Sequence, residues 1–188
     1  MTLHTETDEL LQILKTFDQH NEQINLFASK IAEAFKNGRK LILLGNGGSA
    51  ADAQHIAAEF VGRYKRERPG LPALALNTNT STITSVGNDY SFEQIFSRQV
   101  QAFGNEGDIV VALSTSGNSP NAVNAIETAK IRRCYTVGML GCGGGALKEL
   151  VDLPIIINSN KTPRIQECHI HLAHIVCGLT EELLAKTK

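Results

Sequence analysis

The sequence has no C-x-x-C pair, no apolar run of membrane-spanning length and no excess of one charge sign. Each absence removes a class of protein. The four cysteines (Cys134, Cys142, Cys168, Cys177) are scattered, two of them in apolar or helical contexts. They read as reduced thiols rather than as a disulfide framework. A formal charge of -1 argues against a chain built to hold the nucleic-acid backbone. The one basic cluster, Arg63, Lys65, Arg66 and Arg68, is short and contains Glu67, so it reads as a solvated helix end. The first residues are polar and acidic, without the apolar core of a signal peptide. The expectation is a soluble cytoplasmic protein with no membrane partner. No G-x-x-x-x-G-K-[ST] is present, which sets aside a P-loop nucleotide site. Internal repeats, low-complexity segments and interdomain linkers are also missing. Residues 1–188 fit one α/β domain, long enough to bury a proper core.

What is present is organised around residues 41–59, LILLGNGGSAADAQHIAAE. Leu41 to Leu44 form an apolar run of strand length. Gly45-Asn46-Gly47-Gly48 gives a turn whose backbone can approach a ligand, and from Ser49, a plausible N-cap, the residues favour helix. A strand, a glycine turn and a helix N-terminus together make an anion site. Elsewhere, apolar residues at helical spacing (Leu10, Leu14, Phe17, Ile24, Ala28, Ile31, Phe35) predict one long helix over residues 7–37. At roughly 40 Å that helix is long for one small domain to cover, so its first half is expected to pack on a helix of another subunit. Strands are expected at 72–76, 109–113, 135–140 and 153–157. Helices are expected at 82–86, at 121–132 and from Pro163 onward, with a further one whose apolar side carries Phe92, Ile95, Phe96, Val100 and Phe103. Uniformly apolar strands alternating with helices predict a parallel sheet covered on both faces. In such sheets ligands sit beyond the carboxyl ends of the strands.

Two loops fall at those ends. The second, Ser114-Thr115-Ser116-Gly117-Asn118-Ser119-Pro120, puts four hydroxyls in six residues directly after a buried strand. Pro120 suits the first turn of a helix whose free N–H groups complete a phosphate cradle. Ordinary turn chemistry explains most loops of this composition; the hydroxyl density and the preceding strand favour phosphate. The glycine turn matches G-x-G-x-x-G only in part, with Ala50 at the third position, which is a weak dinucleotide signal.

His55 and Glu59 stand one turn apart on the same helix face, which by itself suggests no more than a hydrogen-bonding pair. The C-terminal stretch RIQECHIHLAH adds Gln166, His169, His171 and His174 within nine residues, types that bind metals or move protons. Gln166 and His174 share roughly one face but lie about 12 Å apart along the axis. One ion reaches both only near full side-chain extension, or with the two supplied by different subunits. His171 points away from that face, and His169 is left undecided.

GNGGSAADAQHIAAEF, ALNTNTST, GNDYSFEQIF, STSGNSPN and RIQECHIHLAH, in this order, resemble the phosphoheptose isomerase family of the SIS-domain sugar isomerases, over nearly the whole chain. The resemblance implies a three-layer SIS fold, with a central parallel sheet flanked by helices and the long first helix in an oligomeric helical interface. It also implies a homotetramer with active sites at subunit interfaces. Asn46, Gly47, Gly48, Asn88 and Asp89 match substrate-contacting positions, and Ser114, Thr115, Ser116 and Ser119 match the phosphate-holding ones. His55, Glu59, Gln166 and His174 match zinc-binding positions, one ion per subunit. Glu59 and His174 also match the acid–base pair, and Gln166 touches the sugar. The implied reaction converts D-sedoheptulose 7-phosphate to D-glycero-D-manno-heptose 7-phosphate through an enediol, feeding nucleotide-activated heptose for surface glycans. Three other readings are weighed: a non-catalytic SIS protein that binds the replication initiator, a phosphosugar sensor, and an isomerase of a different phosphosugar. Glu59 with His55 tells against the first, and Glu59 with His174 tells against the second.

Overall fold

A computed structural model describes residues 2–186. Its centre is a five-stranded sheet of β1 (Leu41–Gly45), β2 (Ala73–Ala75), β3 (Ile109–Ser114), β4 (Tyr135–Leu140) and β5 (Leu153–Ile156), in the order β2-β1-β3-β4-β5. Every pairing is parallel. The strands come where uniformly apolar runs predict them, because a strand buried on both faces has no polar side to show. Side chains alternate across the sheet. Leu41, Leu43, Val111 and Met139 point into one core, whereas Ile42, Leu44, Val110 and Leu140 point into the other.

The first core is covered by α2 (Asn21–Lys36), α3 (Gly48–Val61) and α8 (Thr162–Ala185). The second is covered by α5 (Ser97–Phe103), α6 (Pro120–Ile131) and α7 (Leu147–Leu150), with α4 (Thr80–Asp89) alongside. Neighbouring strands β1 and β3 feed crossovers that leave in opposite directions along the sheet, since β1 leads through α3 to β2 and β3 leads through α6 to β4. The crevice at their carboxyl ends is a topological switch point, where open α/β sheets place ligands. Register puts Gly45 opposite Leu113 and Ser114 opposite Leu140, so the glycine and serine loops leave adjacent strands at the same edge.

The single helix expected over 7–37 is instead α1 (Leu3–Leu14), a 3-10 turn (Phe17–His20) and α2. Thr16 makes the break: its hydroxyl donates to the Ile13 carbonyl at 2.8 Å and its backbone leaves the helical region at φ -97°, ψ 3°. Such local side-chain bonds compete with helix continuation. The break turns Phe17 onto His171 of α8, ring centroids 5.6 Å apart. It also lets α1 lie on α8 of its own chain, where Arg164 donates to the Glu6 carbonyl and Lys161 pairs with Glu9. None of α1 is fully buried, and Leu3 and Leu11 stay exposed.

Three smaller expectations also change. The helix containing Phe92 to Phe103 is a 3-10 turn (Phe92–Gln94) followed by α5. Ile95, Phe96 and Val100 are buried there, but Phe92 and Phe103 face outward. Ser49 is not an N-cap; Gly47 holds that place and Ser49 is buried in the first turn. The basic cluster is not simply solvated. Arg68 is drawn into an ion pair with the buried Glu181 of α8 at 3.0 Å, because the chain after α3 turns back across that helix.

Candidate active site

The two loops are joined by a pair of side-chain amides. Asn46 donates to Asn121 at 2.8 Å, and Asn121 returns a bond to Asn46 at 2.9 Å. Asn121 is buried at the start of α6, so the glycine turn is tied to the helix N-terminus behind the serine loop. Asn121 is not among the site residues the sequence singles out, since an asparagine at a helix start has an ordinary local explanation. Asn77, also passed over, donates to the Gly45 carbonyl at 2.7 Å, and its own carbonyl oxygen is buried without a partner.

Inside the serine loop, Ser114 Oγ accepts from the Gly117 N–H at 3.1 Å and lies 3.4 Å from Ser119 Oγ. Ser116 Oγ accepts from the Asn118 N–H at 3.2 Å. Asn118 Oδ1 accepts from the Ala146 N–H at 2.8 Å, and Gly117 passes its carbonyl to the Leu147 N–H at 3.0 Å. The loop is thus folded against the turn after β4. That contact requires glycine, because Gly117 has φ 67° and a Cβ there would come within 1.9 Å of the Gly144 carbonyl oxygen. The loop leads directly into the start of α6, whose unpaired N–H groups favour an anion.

The second cluster lies along α3 and α8, which run side by side in one direction. At their start, Gln166 lies over Gly48 so closely that a Cβ on Gly48 would sit 2.4 Å from the amide nitrogen. About 10 Å further along, His55 Nε2 is 3.2 Å from Glu59 Oε1, and the His55 and His174 rings meet edge to face at 5.1 Å. Ligand atoms of His55, Glu59 and His174 all lie within 4.8 Å of one another. His174 therefore meets the α3 pair within a single chain. Gln166 stays at the glycine turn, two helical turns back.

Burial lowers the His174 pKa, with the His55 charge adding to that and Glu59 opposing it. The ring is thereby biased toward the neutral form that a metal or a proton shuttle needs. Tyr64 stacks on the other side of His174, centroids 5.4 Å apart and planes 14° from parallel. Asp52, one turn before His55, has a buried carboxylate oxygen without a partner, and burial raises its pKa against the opposing His55 charge. Tyr64 lies outside every motif of the sequence, and Asp52, although inside the 41–59 stretch, has no role assigned to it there.

The remaining expected residues differ in burial. Asn88 and Asp89 are exposed at the end of α4 and bond to one another at 2.9 Å. His169 is fully buried, its Nε2 3.1 Å from the Leu140 carbonyl, with a pKa pushed down to about 4 by desolvation. It is a core histidine. His171 is exposed and packs on Phe17, as its position on the far face of the helix suggested.

Comparison with known proteins agrees with this geometry. A family model described as SIS domain matches residues 7–141. The chain is 57% identical over 155 residues to the phosphoheptose isomerase of Trichlorobacter lovleyi, covering 82% of this chain and 79% of that one. The solved phosphoheptose isomerase of Francisella tularensis superposes with a TM-score of 0.93 at 33% identity, covering 97% of this chain and all of that one. The Neisseria gonorrhoeae enzyme gives 0.89 at 35% identity, over 96% and 97% of the two chains. The switch-point crevice, its two loops and the His–Glu–His cluster are thus those of a chain that belongs to the phosphoheptose isomerase family of SIS-domain proteins.

Proposed function

We propose that this chain interconverts D-sedoheptulose 7-phosphate and D-glycero-D-manno-heptose 7-phosphate, with Glu59 and His174 dividing the proton transfers. The convergence of Glu59, His55 and His174 on one point carries the reading: a non-catalytic phosphosugar binder needs the serine loop but no such cluster. In this reading Ser114, Thr115, Ser116 and Ser119 hold the phosphate at the start of α6. Asn46, Gly47, Gly48, Asn88, Asp89 and Gln166 meet the sugar.

Moving a carbonyl from C2 to C1 requires removing a proton from C1 and returning one to C2. The Glu59 carboxylate takes and returns that proton, passing through an enediol. His174, neutral at physiological pH, moves the proton exchanged between the two oxygens and assists ring opening.

Two imidazoles and a carboxylate are a donor set suited to zinc, and their mutual spacing fits one ion per subunit. His55, Glu59 and His174 would hold it. Gln166 would complete the set only with its side chain extended toward the cluster or from a neighbouring subunit. When bound, zinc supplies polarisation of the carbonyl oxygen. Exposed Leu3 and Leu11 on the outer side of α1 support a helical interface in a homotetramer. A cytoplasmic enzyme of this kind would feed nucleotide-activated heptose to lipopolysaccharide or other surface glycans.

The test is turnover of sedoheptulose 7-phosphate by wild type and Glu59→Gln, with chelator and with added zinc. Turnover by wild type and a loss of at least a hundredfold in folded Glu59→Gln is the expected result. Absence of wild-type turnover in every metal condition sinks the isomerase and favours a binding protein. Activity surviving in Glu59→Gln keeps the enzyme and removes this base.

A further inference from the structure

Tyr64 lies outside every motif of the sequence, yet its ring forms one wall of the His–Glu–His cluster. Three features hold it there. First, the chain after α3 is fastened to α8: Glu181 accepts from the backbone N–H groups of Tyr64, Lys65 and Arg66, each at 3.0 Å, and from Arg68 Nε at 3.0 Å. Glu181 is 3% exposed, so these bonds form out of water, where they hold geometry firmly. Second, Arg68 spans the clamp and α3, donating to the carbonyls of Glu59 at 2.9 Å and Phe60 at 2.8 Å. The loop carrying Tyr64 and the helix turn carrying Glu59 are thereby one rigid unit. Third, α8 has Gly178 one turn after His174, on the same face. A methyl group there would only just touch the tyrosine ring, at 3.5 Å from Cε1, so a residue of that size or smaller leaves the ring its seat. Glycine is disfavoured in a helix interior, and a larger side chain at this position would displace Tyr64.

The imidazole of His174 would otherwise be free to turn about its χ2 bond, a broad torsion for histidine. Stacking at 14° on Tyr64 and edge-to-face contact at 74° with His55 leave it one plane. We propose that Tyr64 is a positioning residue: its stacked face fixes the ring plane of His174, so that one imidazole nitrogen is kept aimed at the point shared with His55 and Glu59. The hydroxyl has no part in this, and the flat aromatic face is sufficient. The inference rests on His174 being a working residue of the site, as read above.

Tyr64 is half-buried, so Tyr64→Leu and Tyr64→Phe should both fold, and three readouts compare them. In the metal-free protein, ring-proton resonances of His174, assigned with His174→Gln, should lie upfield in wild type and Tyr64→Phe through the stacked ring's current. In Tyr64→Leu they should move downfield, toward the position of the exposed His4. Zinc affinity, measured by competition with a chromophoric chelator, should fall about tenfold in Tyr64→Leu, as for loss of a group that orients a metal ligand. It should stay within about twofold of wild type in Tyr64→Phe. With sedoheptulose 7-phosphate, Tyr64→Leu should lower kcat about tenfold or more with KM little changed, and Tyr64→Phe should restore it. Tyr64→Leu matching wild type in zinc affinity and kcat overturns the proposal. Tyr64→Phe failing as badly as Tyr64→Leu also overturns it, since the hydroxyl would then be the functional part. Should wild type turn nothing over, the isomerase reading fails, whereas the resonances and the zinc affinities still decide the positioning role.

Discussion

Replacing Glu181 with glutamine tests how firmly the loop after α3 is held, and the cost can be worked from four hydrogen bonds. Glu181 Oε1 accepts from Tyr64 N–H and Arg68 Nε, and Oε2 accepts from Lys65 and Arg66 N–H. Glutamine keeps one oxygen and turns an NH2 group toward two of these donors. Each donor left unpaired in a buried setting costs about 1–3 kcal/mol. The charge on Arg68 also loses its carboxylate, although its terminal nitrogens keep the backbone carbonyls of Glu59, Phe60, Gly62 and Pro69. The sum over two donors is about 2–6 kcal/mol, which for a chain of this size lowers the melting temperature on the order of 10 °C. Urea unfolding at fixed protein concentration should show the midpoint falling with m unchanged. Glu182→Gln at the neighbouring exposed position should stay within about 0.5 kcal/mol. The effect must also depend on pH. Burial alone would raise the Glu181 pKa, but the three backbone N–H donors and Arg68 outweigh it, and the net shift is downward from 4.5. Its contribution is therefore fully present above pH 4.5 and lost as pH falls through the lower folded-state value, so wild type and variant should converge in acid. A cost below about 1 kcal/mol at neutral pH, or a gap that widens in acid, would refute the reasoning.

Two further outcomes follow from the same structure. Gly117→Ala must move the Gly144 carbonyl and adopt a left-handed backbone, costing about 1 kcal/mol or more. It should raise KM for the sugar phosphate several-fold, while a phosphate-free polyol competes no worse; unchanged KM would remove the loop from phosphate binding. His169 has its pKa lowered from 6.5 to about 4 by burial, so it contributes stability above pH 6.5 that is lost as pH falls toward 4. Wild type should lose roughly 3 kcal/mol over that window from this group, and His169→Leu, whatever its stability at pH 7, should show a flatter pH dependence by urea unfolding.

Much of the fold was legible because the strands are buried on both faces. A run such as Ile109 to Leu113 with no polar side admits few alternatives, and the loops at its end then had to be the polar Gly45–Gly48 and Ser114–Ser119 segments. The long N-terminal helix misled because its apolar spacing continues through the break. Periodicity reports which side chains face the core, not whether the backbone between Ile13 and Asn21 stays helical, and the hydroxyl of Thr16 decided that. The serine loop was visible from composition, but the amide pair that ties it to the glycine turn was not. Asn46 and Asn121 are 75 positions apart, and an asparagine near a helix start has an ordinary local explanation.

Sequence by itself determined the parallel sheet, the glycine and serine loops at its carboxyl edge and the presence of His55 with Glu59 on one helix face, since each depends on residues near one another in the chain. Tertiary structure alone decided that His174 joins that pair, because α3 and α8 pack side by side and their pitch brings the second half of each helix together. It also decided which histidines are excluded: His169 turns into the core toward Leu140, and His171 turns out onto Phe17. The fate of Arg68 and Tyr64 was settled in the same way. A basic segment reads as solvated until a buried carboxylate is placed opposite it, and Glu181 lies 113 residues from Arg68 along the chain. Only folding could bring that charge near enough to fasten the loop and set a tyrosine ring against His174.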